Sequence, residues 1–410
     1  MKITVVALEI PFPPNHGGRV DIWRRLQVLS ALGVSIQLVC WSKGELQEDI
    51  KCALMEVVET LHLLRFNGTS ISSLAKRISF LPRYPLEISS RIVYGENLKK
   101  LRSAVEAFHP DLIMIDQLHG CMVGRYLHNH LGVPLVLRSH NIEHLYYKNL
   151  YASAQGIRKI LRLLSLNGLE RIEKATLKEC DAFYDISVDD LGYWQSQGFA
   201  NGKFLPPLIN PSDMDYLASL ASSKDAKEIG ASKSFDVVFL GNLYTDNNVA
   251  GIVWFLSEVV PRLKSKIPDI KILISGSNPV KKIVDLCESS DCVTLQANPE
   301  SASDIYRSGR VLINPMAVGG GVSIKAIDML ATGCPIVTLP KGVGGLPEPA
   351  KSLFHIAESA DDFAEKICLC LGETNQGIAN YELLDSLFGM EPMKAFLQDI
   401  KENILSIKAL

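Results

Sequence analysis

The stretch from Val311 to Thr338 constrains the fold of this chain more than any other. Val311-Leu312-Ile313-Asn314-Pro315 has the length and apolar character of a buried strand. Gly319-Gly320-Gly321 follows, where the backbone can turn sharply and approach a ligand without Cβ clashes. Ser323 then stands where a helix N-cap belongs, ahead of Ile324, Ile327 and Leu330 or Ala331 at helical spacing. Gly333 ends that helix, Pro335 prevents its continuation, and a new strand begins. A glycine-rich loop feeding a helix N-terminus is an anion site, because free N–H groups and the positive dipole end point outward. Gly319, Gly320, Gly321, Val322 and Ser323 make up that loop. Lys325 and Asp328 lie three apart and share one side of the first helical turns. A cation for phosphate beside a carboxylate for a ribose diol is the chemistry of nucleotide binding.

The same strand-then-helix rhythm runs through the chain. Strands are expected at Ile3 to Leu8, Ile36 to Cys40, Leu61 to Arg65, Leu112 to Asp116, Pro134 to Arg138 and Ala182 to Ser187. A second series is expected at Asp236 to Leu240, Ile270 to Ser275, Val293 to Gln296, Val311 to Asn314, Pro335 to Thr338 and Leu353 to Ile356. A basic stretch with Lys76, Arg77, Arg83 and Arg91 interrupts the first series. Strands alternating with helical patterns imply α/β architecture with doubly wound parallel sheets. A length of 410 residues exceeds one typical core and implies about two domains. Lys203 to Ile209 reads as the exit from the first, and the polar run Ala221 to Lys227 as the link.

Residues 311–338 resemble the donor-site signature of retaining GT-B glycosyltransferases, the group known as glycosyltransferase family four. They are most similar to a bacterial subgroup with a glycine run, Lys-x-x-Glu, and a small-Gly-x-Pro-hydrophobic strand. The resemblance implies two Rossmann-like doubly wound domains facing across a cleft. The C-terminal domain would take the sugar nucleotide and the N-terminal one the acceptor. Expected bounds are 1–208 for the first domain, 209–234 for a linker and 235–388 for the second. A helix within 389–410 would pack back on the first domain. Asp328 matches the ribose-binding acid. The wider family has a glutamate where this chain has Gly320, and a basic residue where it has Asn242.

Other loops acquire expected roles from the same resemblance. Gly17 and Gly18 sit between the first strand and first helix, as the family's diphosphate-facing glycines do, with Arg19 beside them. Ser139-His140-Asn141-Ile142-Glu143-His144 follows a strand and has little apolar surface to bury, unlike a core segment. It resembles the loop whose histidine reaches the donor sugar, so the loop should open into the cleft and His140 should contact the transferred sugar, a catalytic role shared with Lys325. Glu143 would orient the loop or acceptor, and Asp116 would line the same region. Gly241 and Asn242 match the entry turn of the second domain, and Asn298 a turn near the base.

The function implied is retaining, metal-independent transfer of a sugar from a nucleotide-diphosphate sugar to a glycan or lipid-linked hydroxyl, with no other cofactor. Alternatives are a non-catalytic GT-B partner protein and a sugar-nucleotide epimerase. A nicotinamide dehydrogenase is disfavoured because Gly-x-Gly-x-x-Gly is absent. His140 and His144 lack a supporting metal-ligand pattern, and the nine cysteines lack zinc-type spacing. A net charge of −3 argues against a nucleic-acid partner. Met1-Lys2 leads straight into a strand, and no apolar run approaches the roughly 18 residues of a membrane span. A cytoplasmic enzyme with reduced thiols is therefore expected. The basic region with Arg158, Lys159, Arg162, Arg171, Lys174 and Lys178 reads as a solvated helix face. Its alternative is peripheral contact with anionic lipid at the inner face of the membrane.

Overall fold

The computed structural model describes residues 1–66, 79–222, 233–317, 321–372 and 381–406. Lys76, Arg77, Gly319, Gly320 and residues 223–227 of the polar run lie outside them. The chain forms two Rossmann-like α/β units, residues 1–206 with 392–410, and residues 207–391.

The first unit holds β1 (Lys2–Ala7), β2 (Ser35–Ser42), β3 (Thr60–Arg65), β4 (Leu112–Asp116), β5 (Leu135–Ser139), β6 (Ala182–Asp185) and β7 (Gly202–Phe204). They pair in parallel in the order β3-β2-β1-β4-β5-β6-β7. The chain winds outward from β1 to β3, then crosses to the other side of β1 for β4. The winding direction therefore reverses between β1 and β4, where open α/β sheets leave a crevice at their carboxyl ends. Register aligns Ala7 with Asp116, Asp116 with Arg138, and Ser139 with Asp185. The polar strand ends thus form one row. β1, β4 and β5 are buried nearly throughout because helices cover both faces of a parallel sheet. The helix Gly17–Ala31 turns Ile22, Leu26 and Leu29 inward, each removed from water.

The C-terminal helix Glu391–Asp399 continues as a π-helical turn through Leu405 and packs on this unit. Tyr184 donates a hydrogen bond to Asp399, whose other oxygen takes the Lys203 ammonium at 2.5 Å. Phe396 meets the Tyr184 ring edge-on at 4.8 Å. Lys203 belongs to β7, so the stretch read as a plain exit from the domain begins with a strand.

The second unit holds β8 (Phe235–Leu240), β9 (Ile272–Gly276), β10 (Val293–Ala297), β11 (Gly309–Asn314), β12 (Ile336–Thr338) and β13 (His355–Ile356). All are parallel in the order β10-β9-β8-β11-β12-β13, so its winding reverses between β8 and β11. Residues 209–234 are not simply a linker. Pro211–Ser222 is a helix whose Met214 and Leu217 join the core of this unit. Asp213 on it accepts from Ser303 Oγ at 2.8 Å and Arg307 Nη2 at 2.7 Å, which fixes the helix to the unit.

Candidate functional site

Each unit places a polar constellation at its own winding reversal. In the first unit the constellation is a cluster of buried charges. Asp21 and Arg25 lie one turn apart on the helix Gly17–Ala31, Asp116 ends β4, and Arg138 stands in β5. All four are fully buried. Arg138 forks onto Asp21, with Nη2 at 3.2 Å from Oδ1 and Nη1 bonded to Oδ2. Arg25 Nη2 lies 2.8 Å from Asp21 Oδ2, and its Nε 3.6 Å from Asp116 Oδ2. Two guanidinium groups thus neutralise two carboxylates. Burial by itself would raise both acids, but Arg138 and Arg25 hold Asp21 far below the carboxylate range. Asp116 is also lowered: the His140 hydrogen bond and the same cations outweigh its burial. Burial, then Arg25, draws Arg138 down to about 10, opposed by the two acids.

His140 completes this cluster. Its Nε2 lies 2.6 Å from Asp116 Oδ1, and its Nδ1 3.3 Å from the Gln117 amide nitrogen. With that amide as donor, Nδ1 accepts, and Nε2 carries the proton and donates to Asp116. Arg138 Nη1, 2.8 Å from Nε2, then directs its protons to Asp21. His140 is only 7% exposed. The polar loop after β5 is withdrawn from water within the first unit: Ser139, His140, Glu143 and His144 are all buried. The side-chain polar groups of Ser139, His140 and His144 are paired, which permits their burial without apolar surface. Gln117 holds its amide there from a backbone with φ 73°, an unfavourable region for a residue with a Cβ.

Glu143 begins the helix Glu143–Ser153. The Glu173 carboxylate caps that helix from another, accepting from the backbone N–H of Glu143 at 2.7 Å and His144 at 3.1 Å. It also takes His144 Nδ1 at 2.6 Å. Burial, then Glu173 and Glu87, raises the Glu143 carboxyl to about 8. At the end of β6, burial and then Asp190 raise Asp185 to about 8. Perturbed acids beside a winding reversal are functional candidates as well as structural ones.

Gly17 and Gly18 do not form a loop. They open the helix Gly17–Ala31, which starts after His16 without a side-chain cap. Arg19 is committed to Glu9 at 2.5 Å and to Asn15 at 3.4 Å, and Glu9 also meets His16 at 3.0 Å. Against the effect of burial, those partners lower Glu9 to about 2.

In the second unit, Gly241 follows β8 and Gly276 ends β9. A Cβ on Gly276 would fall 1.6 Å from Gly241 O, so these strand ends approach as only glycine permits. Asn298, at φ 51°, donates its N–H to Gly276 O at 2.8 Å and accepts from Asn278 N at 3.0 Å. Asn242 accepts from Thr245 Oγ1 at 2.5 Å and from Asn248 Nδ2 at 3.1 Å. Asn248 Oδ1 in turn accepts from Lys325 Nζ at 2.9 Å, and the ammonium stands 4.7 Å above the Phe239 ring. Among the described residues no carboxylate pairs with Lys325, and desolvation lowers it to about 7. Asp328 follows on the same helix, Ile324–Leu330. Ser323 precedes that helix without the expected side-chain cap; its carbonyl accepts from Ala326 N at 3.0 Å instead. Gly321 has φ 74°, and Val322 and Ser323 are partly exposed beside it.

Asp21, Arg25, Arg138, Gln117 and Asn248 were not among the expected site residues. Only Asp21 and Arg25 left a signal: charges flanking Ile22 and Leu26 fall on the helix's apolar arc. His140 and Asp116 are brought together in the first unit, and Asn242, Lys325 and Asp328 belong to the second.

Residues 234–373 match the family described as Glycosyl transferases group 1. An uncharacterized 44.6 kDa protein of the cps region of Klebsiella pneumoniae is 28% identical over 358 residues, 84% of each chain. Sucrose-phosphate synthase from Thermosynechococcus elongatus superposes with a TM-score of 0.62 at 17% identity, covering 99% of this chain and 100% of that one. HepE from Anabaena, solved with UDP and glucose, gives 0.60 at 12% identity over 98% and 100%. The fold is GT-B, and the matched domain supports a glycosyltransferase.

Proposed function

We propose that this chain transfers a sugar, with retention and without a metal, from a nucleotide-diphosphate sugar to a hydroxyl of a glycan or lipid-linked acceptor. The observation that carries this reading is Lys325. It is a desolvated cation without a carboxylate partner among the described residues, aimed by Asn248 and Phe239 beside the carboxyl end of β8. A diphosphate supplies the missing charge, and Asp328 on the same helix supplies an acceptor for ribose hydroxyls. HepE was solved with UDP and with UDP-glucose, which supports a uridine nucleotide as the first donor to test. The cps-region relative supports a polysaccharide acceptor.

In the proposed step the bond between the anomeric carbon and the diphosphate oxygen breaks. The acceptor oxygen bonds to that carbon from the same face, and its proton passes to the departing phosphate. Lys325 stabilises the phosphate charge as it grows, so its contribution is largest in the transition state. His140 is the residue whose resemblance assigns it to the sugar. Its weaker bond, the 3.3 Å one to Gln117, is the one a sugar hydroxyl would replace. Glu143, protonated near neutral pH, can donate a hydrogen bond to an acceptor oxygen.

The test is a thermal-shift screen of nucleotide sugars, followed by transfer to capsular-type glycans and NMR of the product anomer. Expected are stabilisation by one nucleotide-sugar class, a retained anomer, and activity that survives EDTA. An inverted product, or EDTA loss restored by manganese, overturns the mechanism. Conversion of the sugar nucleotide without an acceptor would establish an epimerase instead.

A further inference from the structure

The basic region following Ser153 is not one solvated helix. Gly168, at φ 70°, separates Gly156–Leu166 from Leu169–Glu179. The second helix buries Leu169, Ile172 and Leu177. The first buries only Ser165. Its large side chains face water instead: Ile157 is 75% exposed, Ile160 61%, Leu163 54% and Leu161 47%. Ile157, Ile160, Leu161 and Leu163 lie within an arc of about 160°, whereas Leu164 on the same side is half-buried. Arg158, Lys159 and Arg162 occupy the other side, and no acidic residue lies between Tyr151 and Leu169.

The helix is nonetheless anchored. Asn167 donates to Leu81 O at 2.6 Å, and Ser165 to Leu161 O at 3.1 Å and Glu87 at 3.4 Å. Lys159 lies 5.2 Å over the Tyr151 ring and Arg162 5.7 Å over Tyr147. The apolar arc is therefore held outward on a fixed element rather than on a loose tail. A soluble surface gains nothing from four adjacent exposed aliphatic side chains.

We propose that Gly156–Leu166 is an interfacial helix that docks the first unit on an anionic lipid surface. Ile157, Ile160, Leu161 and Leu163 enter the acyl boundary, and Arg158, Lys159 and Arg162 meet acidic headgroups. Charge complementarity selects this occupant: a cation rim without acids suits a lipid surface, whereas a second copy would bring its own cations to the same face. Among the described residues no helix is long and apolar enough to cross a membrane, so this contact is peripheral. The docking deepens the proposed reading by bringing the first unit to the surface where a lipid-linked acceptor resides.

The experiment is co-sedimentation of the full chain with phosphatidylcholine vesicles, with and without phosphatidylglycerol. UDP affinity is measured on the same samples. Binding is expected only to the anionic vesicles. The double substitution Ile157→Ser with Ile160→Ser should weaken it at least about tenfold, because two exposed aliphatic groups no longer partition. Arg158→Gln with Lys159→Gln should weaken it by a similar factor at low salt, since each headgroup contact by a basic residue is of comparable size. UDP affinity should stay unchanged in both variants. Lipid binding is read without donor, so its failure and the failure of the transferase reading are distinguishable. Absence of binding by the unaltered chain, equal binding by the serine variant, or equal binding to neutral vesicles overturns the proposal. Loss of a dimer on the Ile157→Ser and Ile160→Ser change, seen by light scattering, assigns the face to a second copy and also overturns it.

Discussion

The Lys325 ammonium is desolvated and, among the described residues, gains no acid, and burial lowers its pKa from 10.5 to about 7. A bound diphosphate reverses that change, so donor binding takes up a proton. The sign follows directly. Above pH 7 the free protein holds Lys325 increasingly neutral, while the complex keeps it charged. Affinity must then fall as pH rises. If the complex restores the ordinary value, linkage gives a drop of about fifteenfold between pH 7.0 and 8.5, or about 1.6 kcal/mol. Lys325 keeps part of its surface in solvent, and halving that free energy for screening leaves about fourfold. The stability of the unliganded chain moves the other way. The folded value lies below the unfolded one, so the unfolded chain binds more protons from pH 7 to 10.5, and the Lys325 contribution to stability rises through that window. Opposite trends separate lost binding from lost folding. The assay is calorimetric titration with an intact UDP-sugar, whose diphosphate has no terminal group titrating near pH 6 to 7. Buffers of different ionisation enthalpy count the protons taken up. A flat affinity profile, or the same slope in Lys325→Met, refutes the reasoning.

Three further outcomes follow from the same geometry. Asn248→Asp places a carboxylate 2.9 Å from the Lys325 ammonium, so the pH midpoint of donor binding should rise by about 1 to 3 units, checked by the same calorimetry. Glu143, raised to about 8 from 4.5, makes the folded state bind more protons than the unfolded one between those values, so its contribution to stability falls as pH rises through that window. Thermal melts of Glu143→Gln should match the parent at pH 5 and exceed it at pH 8.5. Arg138→Met leaves Asp21 and Asp116 short of charge in a buried cluster and should cost about 3–5 kcal/mol in urea unfolding, whereas a loss below about 1 kcal/mol would show that solvent reaches the cluster.

Both sheets were legible because buried parallel strands are apolar on both faces, and that signal survives in a single sequence. Where a strand is short it disappears: β7 spans Gly202–Phe204, three residues without an apolar run. The helix Pro211–Ser222 escaped because its sequence is mixed; among its described side chains Met214 and Leu217 commit it to a core supplied by other elements. The site was legible where chemistry is local, as at Lys325 and Asp328. It was illegible where pairing is remote. Asp21 and Arg138 are 117 positions apart, and nothing near either announces the other. The burial of the polar residues after β5 was illegible for that reason: His140 finds its partner on β4, at Asp116, and His144 on another helix, at Glu173.

The two constellations solve the problem of buried charge in opposite ways. In the first unit Arg25 and Arg138 are matched by Asp21 and Asp116, so the cluster is closed electrostatically and holds His140 in one tautomer. Such a cluster has little charge left to attract an anion, and its value lies in fixing geometry. In the second unit Lys325 meets no acid among the described residues, and its neighbours are the Asn248 amide and the Phe239 ring. Asn242 and Asn248 orient Lys325 through dipoles and add no charge of their own. A site with one cation and several fixed dipoles discriminates by position more than by field. Its attraction for diphosphate should depend only weakly on ionic strength, since a buried pair is screened far less than an exposed one. Removing the amide at Asn248 should therefore loosen Lys325 in place, lowering turnover more than it weakens donor binding.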